Sequence, residues 1–311
     1  MTTKKIAVVL PTIRPESLFE FFDKWYSQFV KHDVGIIIVK DGKDPKVEYI
    51  SSVLNGPDDS QIYTLKEIMG KEKDLISNFN ASVRNLGFVL AKQLGYDIIV
   101  TLDDDTRPDG DTIGDHLKAL EMKVPVSWMS TTIVNNKFSD YMRGFPYEVR
   151  EEWPVMLSHG VWKGVPDRDA LTQLVAGAHT PVEFYKGPIP KGILFPFCGM
   201  NVAFKIEMLP YIYYAPVGQF KGAERFDDIW GGIPMKKDFD ANGWAIVSGF
   251  ASVKHERASD PFKNLEREVI GIKENEDFWK GESKHVFFKE FEKKRDRWQK
   301  FITTQDEMDF F

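Results

Sequence analysis

Short, continuously apolar runs alternate with amphipathic segments over the first 133 residues. Residues 6–10 and 35–39 are apolar at successive positions, which is typical of strands in a sheet covered on both faces. Residues 16–30 are amphipathic, and apolar residues recur at helical spacing between residues 78 and 94. This alternation predicts an α/β fold in which helices cover both faces of a central, mostly parallel sheet.

A third apolar run, residues 98–102, ends in the carboxylates Asp103, Asp104 and Asp105. Alternate side chains at a strand end point the same way, so Asp103 and Asp105 can face one hard divalent cation. The alternative is a solvated acidic turn that ends the strand. Residues 11–14 and 41–42 follow the other two strands, and polar groups at the carboxyl ends of parallel strands meet at one edge of the sheet.

The chain is less regular after about residue 132, where glycines and prolines separate short aromatic runs. A helix is predicted over residues 226–242 and a strand over residues 244–250. The charged segment 276–301 carries Phe287, Phe291, Trp298 and Phe301 on one helical stripe, which would pack on the core or on a second subunit. We expect a catalytic unit, residues 1–275, followed by a helical tail, residues 276–311.

Composition narrows the class of protein. With 311 residues, 42% hydrophobic and 14% aromatic, the chain can build a large core. Its net charge of −6 argues against unselective binding to nucleic acid or anionic membranes, so any bound phosphate needs local cations. Cys198 is the single cysteine and no apolar stretch approaches 18 residues. We expect a cytoplasmic protein without a transmembrane segment.

Several ordered motifs resemble one family. They are LPTIR (10–14), VKDG (39–42), LDDD (102–105), RGFPYEVR (143–150), SHGVW (158–162), PKGILFP (190–196), CGMN (198–201), RFDDIW (225–230) and the stretch from KH (254–255) to DPF (260–262). They are similar to the reversibly glycosylated polypeptides, the plant UDP-arabinopyranose mutases and their microbial relatives, from about residue 5 to residue 279. The resemblance implies a GT-A-like nucleotide-sugar fold, a need for Mn²⁺ or Mg²⁺, and reversible glycosylation from a UDP-sugar.

This resemblance extends the candidate site beyond Asp103 and Asp105. His255 becomes a third metal ligand, although a lone loop histidine is more often a surface residue. Asp104 could meet the ribose or the donor sugar instead of the metal. The remaining nucleotide contacts are expected from the polar rim: Pro11, Thr12 and Asp41 for the nucleoside, and Arg14, Arg84 and Lys191 for phosphate or ribose. Arg84 could equally be an ordinary surface arginine of a helix.

Two arginines carry the unusual chemistry that the resemblance implies. Arg143 matches the residue that takes the sugar, and Arg150 matches one needed for that step. A guanidinium stays protonated far above neutral pH, and deprotonating it first would cost about 8 kcal/mol, so its attack must be assisted. Asp227 or Asp228 at the start of a helix is the expected proton acceptor, with Glu148 as the alternative. Ion pairs between these acids and arginines are the structural alternative.

Other motif residues have two readings each. His159 could reach sugar hydroxyls or pack in a loop. Trp162, Phe195, Phe197 and Trp230 could stack on sugar faces, although dense aromatic residues are usually core. The CGMN segment, including Asn201, is expected to shape the pocket, and no catalytic thiol is expected.

The leading hypothesis is a metal-dependent UDP-sugar mutase that interconverts pyranose and furanose forms while the sugar is held on Arg143. A retaining glycosyltransferase, a donor hydrolase and a self-glycosylated carrier or primer protein are the alternatives. The substrate partner of the mutase, the transferase and the hydrolase is a UDP-sugar. A homo-oligomer is compatible with the tail. The sequence leaves the identity of the sugar open.

Overall fold

The computed structural model describes residues 4–55, 60–128, 143–177, 182–196, 198–218, 220–256 and 259–305. Strands in chain order are β1 (Ile6–Thr12), β2 (Val34–Lys40), β3 (Lys46–Ile50), β4 (Ser60–Thr64), β5 (Ile98–Leu102), β6 (Thr106–Pro108), β7 (Lys123–Val124), β8 (Trp153–Gly164), β9 (Gly187–Pro188), β10 (Asn201–Lys205) and β11 (Ala245–His255). Helices are α1 (Leu18–His32), α2 (Leu65–Met69), α3 (Arg84–Gln93), α4 (Thr112–Leu120), α5 (Ala170–Ala176), α6 (Asp227–Asn242), α7 (Pro261–Glu266), α8 (Val269–Lys280) and α9 (Val286–Thr304).

One mixed sheet forms the centre of the described chain. Its strands lie in the order β4-β3-β2-β1-β5-β10-β8-β11-β6, with β7 beside β8 and β9 beside β11. The three apolar runs that the sequence singled out, β2, β1 and β5, pair in parallel, as do β8 and β11. The α/β prediction is confirmed, and the parallel pairing lies in the core of the sheet, where β3, β4 and β10 flank it in antiparallel pairing.

Two apolar layers cover this sheet because its central strands are apolar on both faces. On one face, Val8 and Ile36 pack against Trp25 of α1 and Ile113 of α4. On the other, the alternate residues of the same strands pack against α3, α6 and α9. Gly87 of α3 permits the closest approach, since a Cβ there would lie 2.6 Å from a methyl carbon of Val9.

The C-terminal segment packs on the second of these layers. Trp298 of α9 stacks on Tyr213 with ring centroids 4.9 Å apart and donates a hydrogen bond to the carbonyl of Leu209 at 2.9 Å. The buried stripe of α9 is Phe288, Phe291, Trp298 and Ile302, whereas the predicted members Phe287 and Phe301 are only partly buried beside it. The sequence predicts that the tail begins at residue 276, but helix α8 runs through residues 275 and 276.

Several predicted boundaries move in the structure. The crossover helix begins at Arg84, and the residues from 78 form a hydrogen-bonded turn before it. The predicted strand 244–250 continues to His255, which brings that histidine to the carboxylates of the rim. Among the described helices, none is both long enough and apolar enough to cross a membrane.

Candidate active site

A cleft of about 940 Å³ opens at the carboxyl ends of β2, β1 and β5. The sequence predicts that the polar segments after these strands converge, and the structure confirms this. Twelve predicted site residues line the cleft: Pro11, Thr12, Arg14, Asp41, Arg84, Asp103, Asp104, Asp105, His159, Trp162, Asp227 and Asp228.

Asp104 points into the protein, unlike its two neighbours. Its carboxylate accepts hydrogen bonds from the hydroxyls of Thr12 (2.5 Å) and Ser17 (2.9 Å), and it forms an ion pair with Arg14. Arg14 also lies 3.3 Å from Asp105. In this arrangement Thr12 and Arg14 hold Asp104, so its oxygens already have partners within the protein, and a contact with the ribose or sugar stays a prediction.

Arg84 is a buried arginine that supports Asp103. Its guanidinium donates to Asp103 Oδ1 (2.8 Å), Thr101 Oγ1 (2.8 Å) and the carbonyls of Ala81 and Gly199. Gly199 is required here, because a Cβ at that position would lie 2.5 Å from the guanidinium carbon. This explains the glycine of the CGMN segment. The alternative of an ordinary surface arginine is wrong, since the Arg84 side chain is only 2% exposed, whereas its contact with phosphate or ribose stays a prediction.

Asp105 and His255 face each other across the same rim. His255 Nδ1–H donates to the carbonyl of Val165 at 2.9 Å, which leaves the lone pair on Nε2. This nitrogen lies 3.9 Å from Asp105 Oδ1, too far for a hydrogen bond. Burial, and then the charge of Asp103, raise the pKa of Asp105, so a cation between the two side chains would stabilise its ionised form.

A divalent ion fits this pair. Bonds of about 2.1 Å to an oxygen and a nitrogen span the observed separation, and a carboxylate with a neutral imidazole suits Mn²⁺. Asp103 lies on the same rim, with Oδ1 bonded to Arg84. In the described residues, the ligand atoms of Asp103, Asp105 and His255 do not form a group that lies within 4.8 Å. The role of Asp103 as a ligand stays a prediction.

A second acidic group lies where α6 begins. One oxygen each of Asp167 and Asp228 and the sulfur of Cys198 lie within 4.8 Å of one another. Burial, then the charges of Asp227 and Asp167, raise the pKa of Asp228 well above its usual range. Burial also raises the pKa of Asp227 to about 6, and its Oδ2 has no hydrogen-bond partner among the described residues. Asp227 can therefore exchange a proton near neutral pH.

Burial likewise raises the pKa of the Cys198 thiol well above its usual value. A protonated, buried sulfur is a poor nucleophile. The structure thus agrees with a pocket-shaping role for this segment.

A smaller cleft of about 550 Å³ adjoins the first and shares Arg14, Asp103 and Asp105 with it. Lys263 of α7 and Arg267, one helical turn further, line it from the opposite side. Arg225 lies there too, but its guanidinium is paired with Glu268 at 2.7 Å. Lys263 and Arg267 are not among the site residues predicted from the sequence. Their i, i+4 spacing directly after the DPF motif was the available signal.

An aromatic wall lines another part of the larger cleft. His159 packs edge-on against Trp162 and Phe195, with ring centroids 5.7 and 5.0 Å away. Burial and then nearby His116 lower the pKa of His159 to about 3, so its ring is neutral, and Nδ1 lies 3.0 Å from Ser248 Oγ. The indole N–H of Trp162 has no hydrogen-bond partner in the described chain. Phe197 lies outside the described residues.

Three predicted substrate contacts lie away from the cleft. Trp230 is fully buried among aromatic side chains and donates to Asn275 at 3.1 Å, so it cannot stack on a sugar. Asn201 is buried between His116 (2.8 Å) and the carbonyl of Val161 (3.1 Å). The ammonium of Lys191 lies 5.2 Å from the ring centre of Trp153. These corrections share one cause. Each side chain has its polar group in contact with another part of the protein, and the linear motifs do not show those tertiary contacts.

Arg143 and Arg150 line neither cleft as far as the structure describes them. Arg143 is exposed and follows residues 129–142, which lie outside the described ranges. Arg150 stacks on Tyr147, 3.7 Å from the ring centre, and donates to the carbonyl of Phe145 at 2.9 Å. Their roles stay predictions.

Comparison with known proteins identifies the family of this chain. The sequence model of the family described as "Reversibly glycosylated polypeptide" matches residues 1–290. "Probable UDP-arabinopyranose mutase 1" of Pisum sativum is 33% identical over 294 residues, which cover 89% of this chain and 76% of that protein. "UDP-arabinopyranose mutase 3" of Arabidopsis thaliana is 33% identical over 299 residues, 91% and 77% of the two chains. The chain belongs to the reversibly glycosylated polypeptide family.

A solved structure of glucosyl-3-phosphoglycerate synthase from Mycobacterium tuberculosis, in complex with Mn²⁺, UDP and phosphoglyceric acid, is similar with a TM-score of 0.47 and 15% identity. The similarity covers 88% of this chain and 78% of that one. The reversibly glycosylated polypeptide family includes enzymes, the mutases named above. The family match contains every cleft residue described here and ends inside α9.

Proposed function

We propose that this member of the family is a divalent-metal-dependent mutase that interconverts the pyranose and furanose forms of a UDP-sugar, with UDP-arabinose as the first candidate. One observation carries the proposal: relatives named UDP-arabinopyranose mutase match nine-tenths of the chain. The carboxylate-lined cleft supports it, because a nucleotide-sugar needs a rim where diphosphate charge is neutralised beside a pocket for the sugar.

The three strand ends give the nucleotide an order of subsites. The base would lie at Asp41 after β2, the ribose near Pro11 at the end of β1, and the diphosphate at Asp105 after β5. Neighbouring strands are about 4.8 Å apart, so Asp41 and Asp105 follow strands separated by about 10 Å. Asp105 and His255 would hold a divalent ion, which supplies positive charge to the diphosphate and to the leaving UDP.

Local cations complete the diphosphate subsite. Arg14 and Arg84 are paired with the rim carboxylates, so they add little net positive charge. Lys263 and Arg267 face the rim from the smaller cleft and would contact the phosphate oxygens there. In this way an acidic protein can bind a dianionic group.

The acids at the start of α6 would serve the sugar. In the first step the bond between the anomeric carbon and the phosphate oxygen breaks, a bond from that carbon to a guanidinium nitrogen of Arg143 forms, and the displaced N–H proton passes to a carboxylate. Asp227 and Asp228 are the candidates, because both line the cleft and burial raises the pKa of Asp227 to about 6, close to neutral pH. The ring then opens and closes on another hydroxyl. In the last step a phosphate oxygen of UDP bonds to the anomeric carbon, the bond to the Arg143 nitrogen breaks, and the proton returns from the carboxylate to that nitrogen.

The proposal is tested by incubating the protein with UDP-arabinopyranose and Mn²⁺ and separating the nucleotides by chromatography. A mixture of pyranose and furanose nucleotides is expected, with a sugar adduct in the intact mass of the protein. A new glycoside would indicate a transferase, and stoichiometric labelling without turnover would indicate a carrier. Free arabinose with UDP would indicate a hydrolase.

Arg143→Lys tests the acceptor residue. Lysine keeps the charge but lacks the planar guanidinium, so UDP-sugar binding should persist while labelling and interconversion are lost together. Arg295→Lys is the matched control, since Arg295 pairs with Asp238 of α6 and lines neither cleft. Mutase turnover in the Arg143 variant, or an adduct mapped to another residue, would show that Arg143 is not the acceptor.

A further inference from the structure

Phe79 combines two unfavourable features at the edge of the larger cleft. Its side chain is 66% exposed, and its φ of +60° lies in the left-handed region, which bulky residues rarely adopt. The other described non-glycine residue with positive φ is Asp33, where this conformation ends α1. Phe79 ends no helix and adds little to the core, so folding alone does not account for it.

Polar neighbours hold this conformation from both sides. The N–H of Phe79 donates to Asp41 Oδ1 at 3.0 Å. The side chain of Asn78 donates to the carbonyl of Gly42 at 2.9 Å, and Asn80 Oδ1 accepts from the N–H of Ser82 at 3.0 Å as that short helical turn begins. The turn is therefore tied to the end of β2, and it holds the backbone of Phe79 against the Asp41 carboxylate.

We propose that the ring of Phe79 is a stacking platform for the nucleobase of the nucleotide-sugar. The proposal rests on the proposed function and adds a base subsite to it. An aromatic face gives affinity for the flat base, whatever its identity. The Asp41 carboxylate beside it is an acceptor for the N3–H of uracil and repels the N3 lone pair of cytosine. Affinity and base identity thus come from two adjacent residues.

The position on the sheet fits the rest of a nucleotide. Asp41 and Phe79 lie at the β2 end of the cleft, and Asp103 and Asp105 lie two strands away. A base at Phe79 leaves the intervening end of β1 for the ribose. Phe19 shows the contrast, since it is 86% exposed on α1 but lines neither cleft.

Calorimetric titration of the full chain with UDP and Mg²⁺ tests the platform. Phe79→Gly removes the ring without backbone strain at positive φ, so the fold should persist, and UDP affinity should fall about tenfold. Phe79→Trp should keep or increase that affinity. Phe19→Ala is the control and should bind UDP as the parent protein does.

Inorganic pyrophosphate with Mg²⁺ is the second probe, because it lacks the base. Its affinity should be the same in the parent protein and in Phe79→Gly. Unchanged UDP affinity in Phe79→Gly, or an equal loss for UDP and pyrophosphate, would overturn the platform while leaving the proposed function intact. Failure of the parent protein to bind UDP would overturn both.

Discussion

Two groups of carboxylates share the cleft and differ in what surrounds them. The rim group, Asp103 to Asp105, is met by Arg14, Arg84 and His255. In the helix-start group, Asp227 is buried, Asp167 and Asp228 are partly exposed, and Asp228 lies beside the other two acids. Two arginines pair with Asp103 and Asp104, and a cation beside Asp105 would offset the burial that raises the pKa of that carboxyl. In the helix-start group, burial and neighbouring acids favour the protonated form. The first group is thus suited to binding a cation and the second to moving a proton.

The largest effect should come from removing a carboxylate of the rim group. Asp105→Ala deletes one side of the pair with His255, so activity with UDP-sugar should fall about a thousandfold or more. Metal-dependent UDP binding, measured by calorimetry, should be lost, and the melting temperature should change little because the side chain lies at the rim. Unchanged affinity for UDP with Mn²⁺ would show that the cation lies elsewhere.

Asp228→Asn should separate the helix-start group from the rim. Asparagine keeps the shape but cannot transfer a proton, so kcat should fall by about 100- to 10,000-fold while UDP affinity with Mg²⁺ is retained. Asp238→Asn, on the same helix but outside both clefts, is the control. If Asp228→Asn loses metal-dependent UDP binding as Asp105→Ala does, both groups bind cations and the proposed difference between them fails.

The contrast also shows which features of the site could be predicted from the sequence. The apolar runs place Asp103 to Asp105 and Asp41 at strand ends, so the rim follows from local pattern. The partners do not, because Arg84 reaches the carbonyl of Gly199 across 115 positions of the chain. Trp230 reads as a sugar-stacking residue in its motif, and only the packing of α6 against the C-terminal helices shows it to be core. A role for Lys263 and Arg267 in binding phosphate becomes evident only from the position of α7 opposite the rim.

A stability measurement sharpens the comparison for Asp227. Burial raises its pKa from an ordinary 3.8 to about 6, so the folded state favours the neutral form. The stability that this proton confers is present below about pH 4 and lost between about pH 4 and 6. Asp227→Asn should therefore be more stable than the parent protein at pH 7, by about 3 kcal/mol, and nearly equal to it at pH 4. Urea unfolding at both pH values measures the difference, and a destabilised variant at pH 7 would show that Arg84 needs the charge of Asp227.

The smallest expected effect concerns His255, the histidine of the rim. His255→Ala removes one proposed ligand but leaves the carboxylates and the diphosphate to hold the ion, so the concentration of Mn²⁺ needed for half-maximal activity should rise about tenfold. His32→Ala is the control, because His32 pairs with Asp111 away from both clefts. The direction of the Nε2 lone pair carries this prediction, since the Val165 carbonyl fixes the proton on Nδ1. If His255→Ala responds to limiting Mn²⁺ as the parent protein does, the histidine serves only to hold Val165, and Asp105 must find its cation without it.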